Sequence, residues 1–179
     1  PLTPIFHHLI IKSKKITLPA CILNIGGISN LTIIRNSSYH EMLSQDIGPG
    51  NCLINTWIQN HTNKKFDSEG SISNRGKTNE VILEQSLETH ENNFQKKNNI
   101  SFDTNDFDIS FARGLTLEDG AATLTAFSAK IIASKINFLL KEYNKENIKI
   151  IICGGGRKNK SLVKQIKLNS KKNLSYYNS

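Results

Sequence analysis

The chain has 179 residues with a formal net charge of +8, 37% hydrophobic residues and 21% charged residues. This length fits one domain with a substantial core, and the hydrophobic fraction is too high for a wholly disordered chain. The apolar runs are too short to span a membrane, and the first residues lack the pattern of a signal peptide, so a membrane partner is not expected.

The positive charge is concentrated near the C-terminal end. Residues 1–140 hold 13 basic and 13 acidic residues, whereas residues 141–179 hold 10 basic and 2 acidic residues. Nucleic-acid sites rely on arginine forks and aromatic platforms, and neither accompanies these lysines. The sequence therefore predicts no nucleic-acid partner, and residues 166–179 are interpreted as a poorly ordered basic tail.

The first elements predict a β-hairpin joined by two glycines. Residues 20–25 form an apolar run, Gly26 and Gly27 interrupt it, and residues 31–35 form a second run. Two short apolar runs on either side of a glycine pair favour antiparallel strands. This segment therefore predicts the first two strands of a sheet.

A strand, a tight loop and a helix are predicted next. The strand is expected around residues 39–45 and the loop at residues 46–51. A helix is expected over residues 52–59, with Leu53 and Trp57 facing the interior.

The clearest helix of the sequence begins at Thr116. Before it, residues 60–75 predict a polar loop, residues 79–88 a short helix and residues 91–108 a long loop. Thr116 and Asp119 have the spacing of a capping box, in which each side chain accepts from the other residue's amide. Small and apolar residues then recur at spacings of three and four, which marks one helical face: Ala122, Ala126, Ala129, Ala133, Ile136 and Leu140.

The last predicted elements are a buried strand and a basic helix. The strand covers residues 148–152, the glycines Gly154, Gly155 and Gly156 follow it, and the helix starts near Asn159. Strands and helices in this order indicate an α/β fold with a mixed sheet and flanking helices.

Three loops have residues suited to chemistry. In the first, Gly26 and Gly27 lie between Asn24 and Asn30, and a strand that ends in glycines lets backbone amides approach a ligand such as phosphate. An ordinary hairpin turn would have the same residues.

The second loop places Asp46 before Gly48, Gly50 and Asn51. A carboxylate at a strand end can act as a general base. It can equally be structural, bonding loop amides or the start of a helix.

The third loop is the run from Gly154 to Gly156 between a buried strand and a helix capped near Asn159. Such a turn can hold a nucleotide, because the amides face phosphate or ribose and the missing side chains leave room for a base. It has neither the P-loop spacing nor the dinucleotide-binding spacing.

The cysteines give no sign of a metal centre or a disulfide framework. Cys21, Cys52 and Cys153 are far apart and odd in number, and no C-x-x-C pair is present. Cys21 and Cys153 lie in apolar runs and are expected to be small core residues. The pattern favours a reducing, cytoplasmic setting.

Taken together, the loops resemble the second lobe of the sugar kinase/Hsp70/actin superfamily. Six segments carry a closer resemblance: LNIGGISNLT (23–32), DIGPGNCLINTW (46–57), FDSEGSISNRGK (66–77), DTNDFDISF (103–111), RGLTLEDGAATLTAFSA (113–129) and CGGGRKN (153–159). Together with the opening P-x-x-P-x-F-H, these segments resemble the bacterial anhydro-N-acetylmuramic acid kinases.

The resemblance implies an actin-like ATPase lobe with a ribonuclease H-like sheet over residues 1–165. It implies an ATP- and Mg²⁺-dependent kinase that opens the 1,6-anhydro ring of anhydro-N-acetylmuramic acid with water and phosphorylates the freed 6-oxygen. The product is N-acetylmuramic acid 6-phosphate, formed in the cytoplasm during peptidoglycan recycling. Asp46 would activate the water.

The remaining site residues would bind the nucleotide. By resemblance, Gly26 and Gly27 would approach the phosphates and Gly154 to Gly156 would line the nucleoside end. The other residues expected at the nucleotide are Asn24, Asn30, Gly48, Gly50, Asn51 and Asn159.

The chain departs from the family pattern in two places. Ile47 stands where the family has Thr, which removes a hydroxyl beside Asp46. A basic segment of the family is replaced at residues 99–104 by Asn-Ile-Ser-Phe-Asp-Thr.

The family's first lobe, with its phosphate-gripping Gly-Thr-Ser-x-Asp-Gly loop, should precede Pro1, and the chain begins without Met. We therefore expect an incomplete chain that lacks the first lobe. The family tends to dimerise, so a homodimer is a possible partner. The alternative function is an inactive remnant, or a nucleotide-binding half that needs a separate first lobe.

Overall fold

A five-stranded mixed sheet lies at the centre of the molecule. The computed structural model describes residues 16–36, 42–94, 101–143, 148–171 and 174–178. The sheet has the order β3-β2-β1-β4-β5. Its strands are β1 (Ala20–Ile25), β2 (Ile28–Ile34), β3 (Met42–Pro49), β4 (Ile148–Cys153) and β5 (Leu174–Asn178).

Only β2 runs against the other strands. It is antiparallel to both β1 and β3, whereas β4 is parallel to β1 and to β5. This order and direction are those of the ribonuclease H-like sheet that the resemblance implies. The predicted α/β class, with a mixed sheet and flanking helices, is confirmed.

The described residues include four α-helices that accompany the sheet. They are α1 (Cys52–His61), α2 (Glu80–Phe94), α3 (Leu117–Leu139) and α4 (Lys160–Asn169). Helix α3 contacts β3, α1, α2 and α4. All six residues of its predicted apolar face are buried, and so are polar residues on other faces such as Thr125 and Ser128. The helix is therefore enclosed on most sides. The sequence pattern predicted only one buried face.

The start of α3 confirms one half of the expected capping box. The Thr116 hydroxyl accepts from the Asp119 amide at 3.2 Å. The carboxylate of Asp119 does not reach back to Thr116. It accepts from the Lys77 amide at 2.8 Å and so ties the preceding loop to the helix.

Helix α1 packs closely on α3 through Trp57 and Gly120. The indole Nε1 donates to the Leu117 carbonyl at 2.9 Å. A Cβ atom at Gly120 would lie only 2.2 Å from Cζ2 of the Trp57 ring. Because real Cβ contacts are far longer, this helix–helix contact requires a glycine.

Strand β3 differs from the prediction because it continues through Asp46 to Pro49. A proline is tolerated there because β3 is an edge strand. Ser29 pairs with Gly48 and Asn30 pairs with Asp46, so Ile47 is the extra residue of a β-bulge. Ile47 is completely buried in the main core, where an isoleucine packs better than a threonine would.

His90 on α2 belongs to an aromatic cluster. Its ring lies 6.0 Å from that of Phe107 and 5.7 Å from that of Phe127, measured between centroids. Burial, and to a lesser extent the charge of Lys135, lowers the pKa of His90 from 6.5 to about 4. The imidazole is therefore neutral near pH 7.

In the segment expected to be a poorly ordered tail, the described residues 166–171 and 174–178 are mostly helix and strand. Helix α4 continues to Asn169, and β5 then pairs with β4, with Tyr176 opposite Ile150. The Tyr176 hydroxyl donates to Ser170 Oγ at 2.5 Å. Burial raises the pKa of Tyr176 to about 12. The lysine-rich composition around this short strand concealed it at the level of sequence.

No helix among the described residues is both long and apolar enough to cross a membrane.

Cys21 is buried, as predicted, whereas Cys153 is only half-buried; both are free thiols. The opening motif at residues 1–7 lies outside the described part of the chain.

Candidate functional site

The sheet brings the first and third loops together. Strand β1 is parallel to β4, and Asn24 pairs with Cys153 at their carboxyl ends. The glycine turn after β1 and the glycines after β4 therefore leave the sheet side by side. In open α/β sheets this carboxyl edge is where ligands bind.

A cavity of about 930 Å³ lies at this edge. Its walls include half of the residues predicted for the site: Gly26, Gly27, Asn51, Gly155, Gly156 and Asn159. Three loops that are distant in sequence thus contribute to one concave surface large enough for a nucleotide.

The three glycines after β4 have different roles. Gly154 has φ +80°, and a Cβ atom there would lie 2.4 Å from Asn24 Oδ1. A Cβ atom at Gly156 would lie 2.2 Å from Ile25 Cγ2. Gly155 differs, because a Cβ atom there would meet nothing within 4 Å. Gly154 and Gly156 therefore let β4 pack against β1, whereas Gly155 leaves open space beside the backbone.

Asn51 and Asn159 join the starts of two helices. Asn159 is buried; its Oδ1 accepts from the Leu162 amide at 3.1 Å and so caps α4. Its Nδ2 donates to Asn51 Oδ1 at 3.4 Å, just before α1. These contacts fix both amide side chains at the wall of the cavity.

The second loop supports the first through backbone hydrogen bonds. The Gly50 amide donates to the Gly27 carbonyl at 2.7 Å, and the Asn51 amide donates to the Gly26 carbonyl at 2.9 Å. A Cβ atom at Gly50 would lie 2.3 Å from the Gly26 carbonyl oxygen. Gly50 thus permits the close approach of the two loops and does not line the cavity itself.

Gly48 also serves packing. It has φ +142°, and a Cβ atom there would lie 2.6 Å from Cγ2 of Ile131 on α3. Its place is in the bulge of β3, behind the site.

Asp46 is half-buried within β3, outside the residues that line the cavity. Its Oδ1 accepts from Asn30 Nδ2 at 3.3 Å, and its Oδ2 accepts from the Phe102 amide at 3.0 Å. Asn30 Oδ1 in turn accepts from the Ser44 hydroxyl at 3.1 Å. Asn30 therefore contacts Asp46 and not the glycine turn, and Asn24 contacts Cys153 Sγ at 3.7 Å.

The segment around Thr104 bridges Asp46 and the glycine turn. Phe102 donates to Asp46, and Thr104 Cγ2 lies 3.5 Å from the position that a Cβ atom of Gly27 would take. The substitutions noted in this segment therefore lie directly beside the proposed base, although residues 99–100 are outside the described part.

Sequence reasoning missed Asp67, which organises another wall of the cavity. This buried carboxylate accepts from the Ile72 amide at 2.8 Å, the Ser73 amide at 3.0 Å and the Ser73 hydroxyl at 2.7 Å. Glu69 beyond it pairs with Lys160 at 2.9 Å. An Asp followed by serines and a glycine is a recognisable loop-forming pattern, and it could have indicated this role.

No cluster of three or more His, Cys, Asp or Glu side chains in the described part could hold a metal ion. Mg²⁺ in proteins commonly keeps several waters and binds one or two carboxylates together with substrate phosphates.

Comparisons with known proteins identify a family for this chain. Anhydro-N-acetylmuramic acid kinase is the family whose sequence model matches, over residues 1–174. A curated relative of that name from Pelagibacter ubique is 49% identical over 177 residues, which cover 97% of this chain and 46% of the relative. Another relative of that name, from Methylorubrum populi, is 38% identical over a match that covers 91% of this chain and 41% of the relative. The chain thus spans just under half the length of these relatives.

Two solved structures are similar in outline. One is an activator of the 2-hydroxyisocaproyl-CoA dehydratase from Clostridium difficile with bound ADPNP, at 14% identity and a TM-score of 0.46 over 92% of this chain and 55% of that chain. The other is the ethanolamine utilization protein EutJ from Carboxydothermus hydrogenoformans, at 11% identity and a TM-score of 0.44. This match covers 95% of this chain and 48% of that chain. The match over residues 1–174 carries the assignment: the chain belongs to the anhydro-N-acetylmuramic acid kinase family.

Proposed function

We propose that this chain is the ATP-binding half of a kinase that cleaves and phosphorylates anhydro-N-acetylmuramic acid. The observation that carries the proposal is the convergence of Gly26-Gly27 and Gly155-Gly156 on one cavity of about 930 Å³. Glycine-rich turns beside helix starts bind phosphate and nucleoside groups. Family membership supplies the identity of the sugar.

In this proposal the nucleotide lies between the two glycine turns. Gly155 leaves space for the nucleoside, because nothing lies within 4 Å of its missing side chain. The Asn51 and Asn159 amides, held together at 3.4 Å, would bind polar groups of the ribose or phosphate. Gly26 and Gly27 would let the backbone approach the phosphates.

Asp46 would be the general base. It would take a proton from a water whose oxygen bonds to the anomeric carbon of the sugar. The bond between that carbon and the 6-oxygen would break, and the 6-oxygen would bond to the γ-phosphorus as ADP leaves. The hydrogen bonds from Asn30 and Phe102 would orient the carboxylate towards the water.

Mg²⁺ would neutralise charge on the phosphates, which phosphoryl transfer requires more than covalent help. The oxygen ligands would come mainly from ATP, because the described residues hold no cluster of metal-binding side chains.

The γ-phosphoryl group also has to be held from the other side during transfer. This chain matches 46% of the length of the Pelagibacter relative. We assign that task to the remaining part of such a kinase, whether it lies on the same polypeptide or on another. A second copy of the chain, in a homodimer, is a further proposed partner. The cytoplasm, where ATP is available, is the proposed location.

The proposal is tested by binding and by turnover. The chain should bind Mg·ATP in calorimetry. A chimera in which it replaces the matching half of the Pelagibacter kinase should form N-acetylmuramic acid 6-phosphate, detected by mass spectrometry. Asp46→Asn should lower turnover by about 10²- to 10⁴-fold. It should leave ATP affinity unchanged.

Glu88→Gln, which alters an exposed carboxylate on α2, is the matched control and should keep full activity. Failure of the chain to bind ATP, or full turnover by the Asp46 variant, would refute the proposal.

A further inference from the structure

Phe66 is an exposed aromatic side chain on the wall of the nucleotide cavity. Its exposed fraction is 58%, and it is one of five exposed large apolar side chains in the described part of the chain. Among the described residues that line the cavity it is the only aromatic one. A ligand in the cavity could cover this ring, and burying its apolar area would stabilise the complex.

The backbone beside Phe66 is held in place. The next residue, Asp67, accepts hydrogen bonds from the Ile72 and Ser73 amides, at 2.8 and 3.0 Å, and from the Ser73 hydroxyl. Asp67 is 4% exposed, so water competes little for these bonds. The ring is therefore presented from a fixed loop, which lowers the entropy cost of stacking a ligand on it.

The other described side chains on the cavity wall have no aromatic face. Arg157, Lys158 and Lys160 are cations, and Lys160 is paired with Glu69 at 2.9 Å. Arg157 donates to the Gly154 carbonyl at 2.8 Å, which anchors its guanidinium beside the glycines. These cations attract any phosphate chain, with or without a base. Among the described residues that line the cavity, Phe66 alone has an aromatic face, and Gly155 leaves space unfilled.

We propose that the adenine base of the nucleotide stacks on Phe66. This inference rests on the proposed function. It means that Phe66 makes the site bind ATP more tightly than a phosphate chain that carries no base. Base–aromatic stacking is worth enough to change affinity by about 5- to 100-fold on removal of the ring. Phe66 is then a specificity-determining residue for the nucleotide.

Calorimetric titration of the full chain with Mg·ATP and with inorganic tripolyphosphate tests the inference. Phe66→Ala should weaken ATP binding by about 5- to 100-fold and leave tripolyphosphate binding unchanged. Phe66→Trp should keep ATP affinity, and Phe66→Leu should lose most of it although it keeps the apolar volume. Phe138→Ala is the matched control, because Phe138 is 71% exposed on α3 and does not line the cavity.

The possible failures are distinguishable. If the unaltered chain binds ATP and Phe66→Ala binds it equally well, the stacking role is overturned and the proposed function stands. If Phe66→Ala weakens the binding of ATP and of tripolyphosphate equally, the loop is damaged and the stacking role is also overturned. If the unaltered chain binds no ATP, the proposed function fails and takes this inference with it.

Discussion

Replacing Gly120 with alanine should destabilise the fold, although alanine is the better helix former. The new Cβ atom would lie 2.2, 2.4 and 2.8 Å from three atoms of the Trp57 ring. Ordinary carbon contacts are about 3.5–4.0 Å, so the ring must retreat by more than about 1 Å. Such overpacking costs about 1–3 kcal/mol. Moving the indole also weakens its 2.9 Å hydrogen bond to the Leu117 carbonyl, worth about 1 kcal/mol.

Helix propensity acts in the opposite direction by about 1 kcal/mol. The net expectation is a loss of about 1–3 kcal/mol in the free energy of unfolding. Urea denaturation followed by far-UV circular dichroism measures it. Ser134→Ala, at an exposed position of α3, is the matched control and should change stability by less than about 0.5 kcal/mol. In a Trp57→Phe background the cost of Gly120→Ala should shrink, because part of the clashing ring is gone. A Gly120→Ala protein as stable as the unaltered chain, or more stable, would refute the packing argument.

The glycines after β4 and His90 on α2 give two further predictions. Gly156→Ala should destabilise the fold by about 1–3 kcal/mol, because its Cβ would lie 2.2 Å from Ile25 Cγ2. Gly155→Ala should leave the urea midpoint unchanged and weaken ATP binding, because its Cβ points into open space; equal stability losses in both variants would contradict this assignment. For His90, the unfolded chain takes up a proton near pH 6.5 and the folded chain only near pH 4, so stability should fall as the pH drops through this interval. The substitution His90→Phe should lessen that fall between about pH 7 and pH 4.5, and parallel urea-midpoint curves for the two proteins would contradict the assignment.

Most of the fold could be predicted because its signals are local. The hairpin, the strand before the glycines and the helix capped at Thr116 each have a short pattern that specifies the element by itself. The path of β3 through Asp46 could not be predicted in this way, because Gly48-Pro49-Gly50 has the composition of a turn. Pairing with β2 and packing of Ile47 in the core keep that segment extended, and neither is visible in the local sequence.

The site was predictable in part for the same reason. Glycine turns after apolar strands indicate that a ligand or another backbone comes close, but they do not say which. Gly155 faces open space, whereas Gly48 and Gly50 make room for Ile131 and for the Gly26 carbonyl. Asn30 has its partner in Asp46 of the neighbouring strand, which is a matter of register and not of local sequence. Asp67 acts through loop amides, whose positions become clear only once the chain is folded.

The parallel pairing of β1 with β4 has a consequence for how the protein is made. Asn24 pairs with Cys153, so the two glycine turns of the cavity come from opposite ends of the matched region. Closing so long a loop costs entropy before any contact repays it, and folding dominated by such contacts is slow. A ribosome has to synthesise almost all of β4 before the cavity can close. We therefore expect nucleotide binding to appear late in refolding, together with the last increase in protection of the β1 amides from hydrogen exchange, and a ligand added earlier to leave the folding rate unchanged.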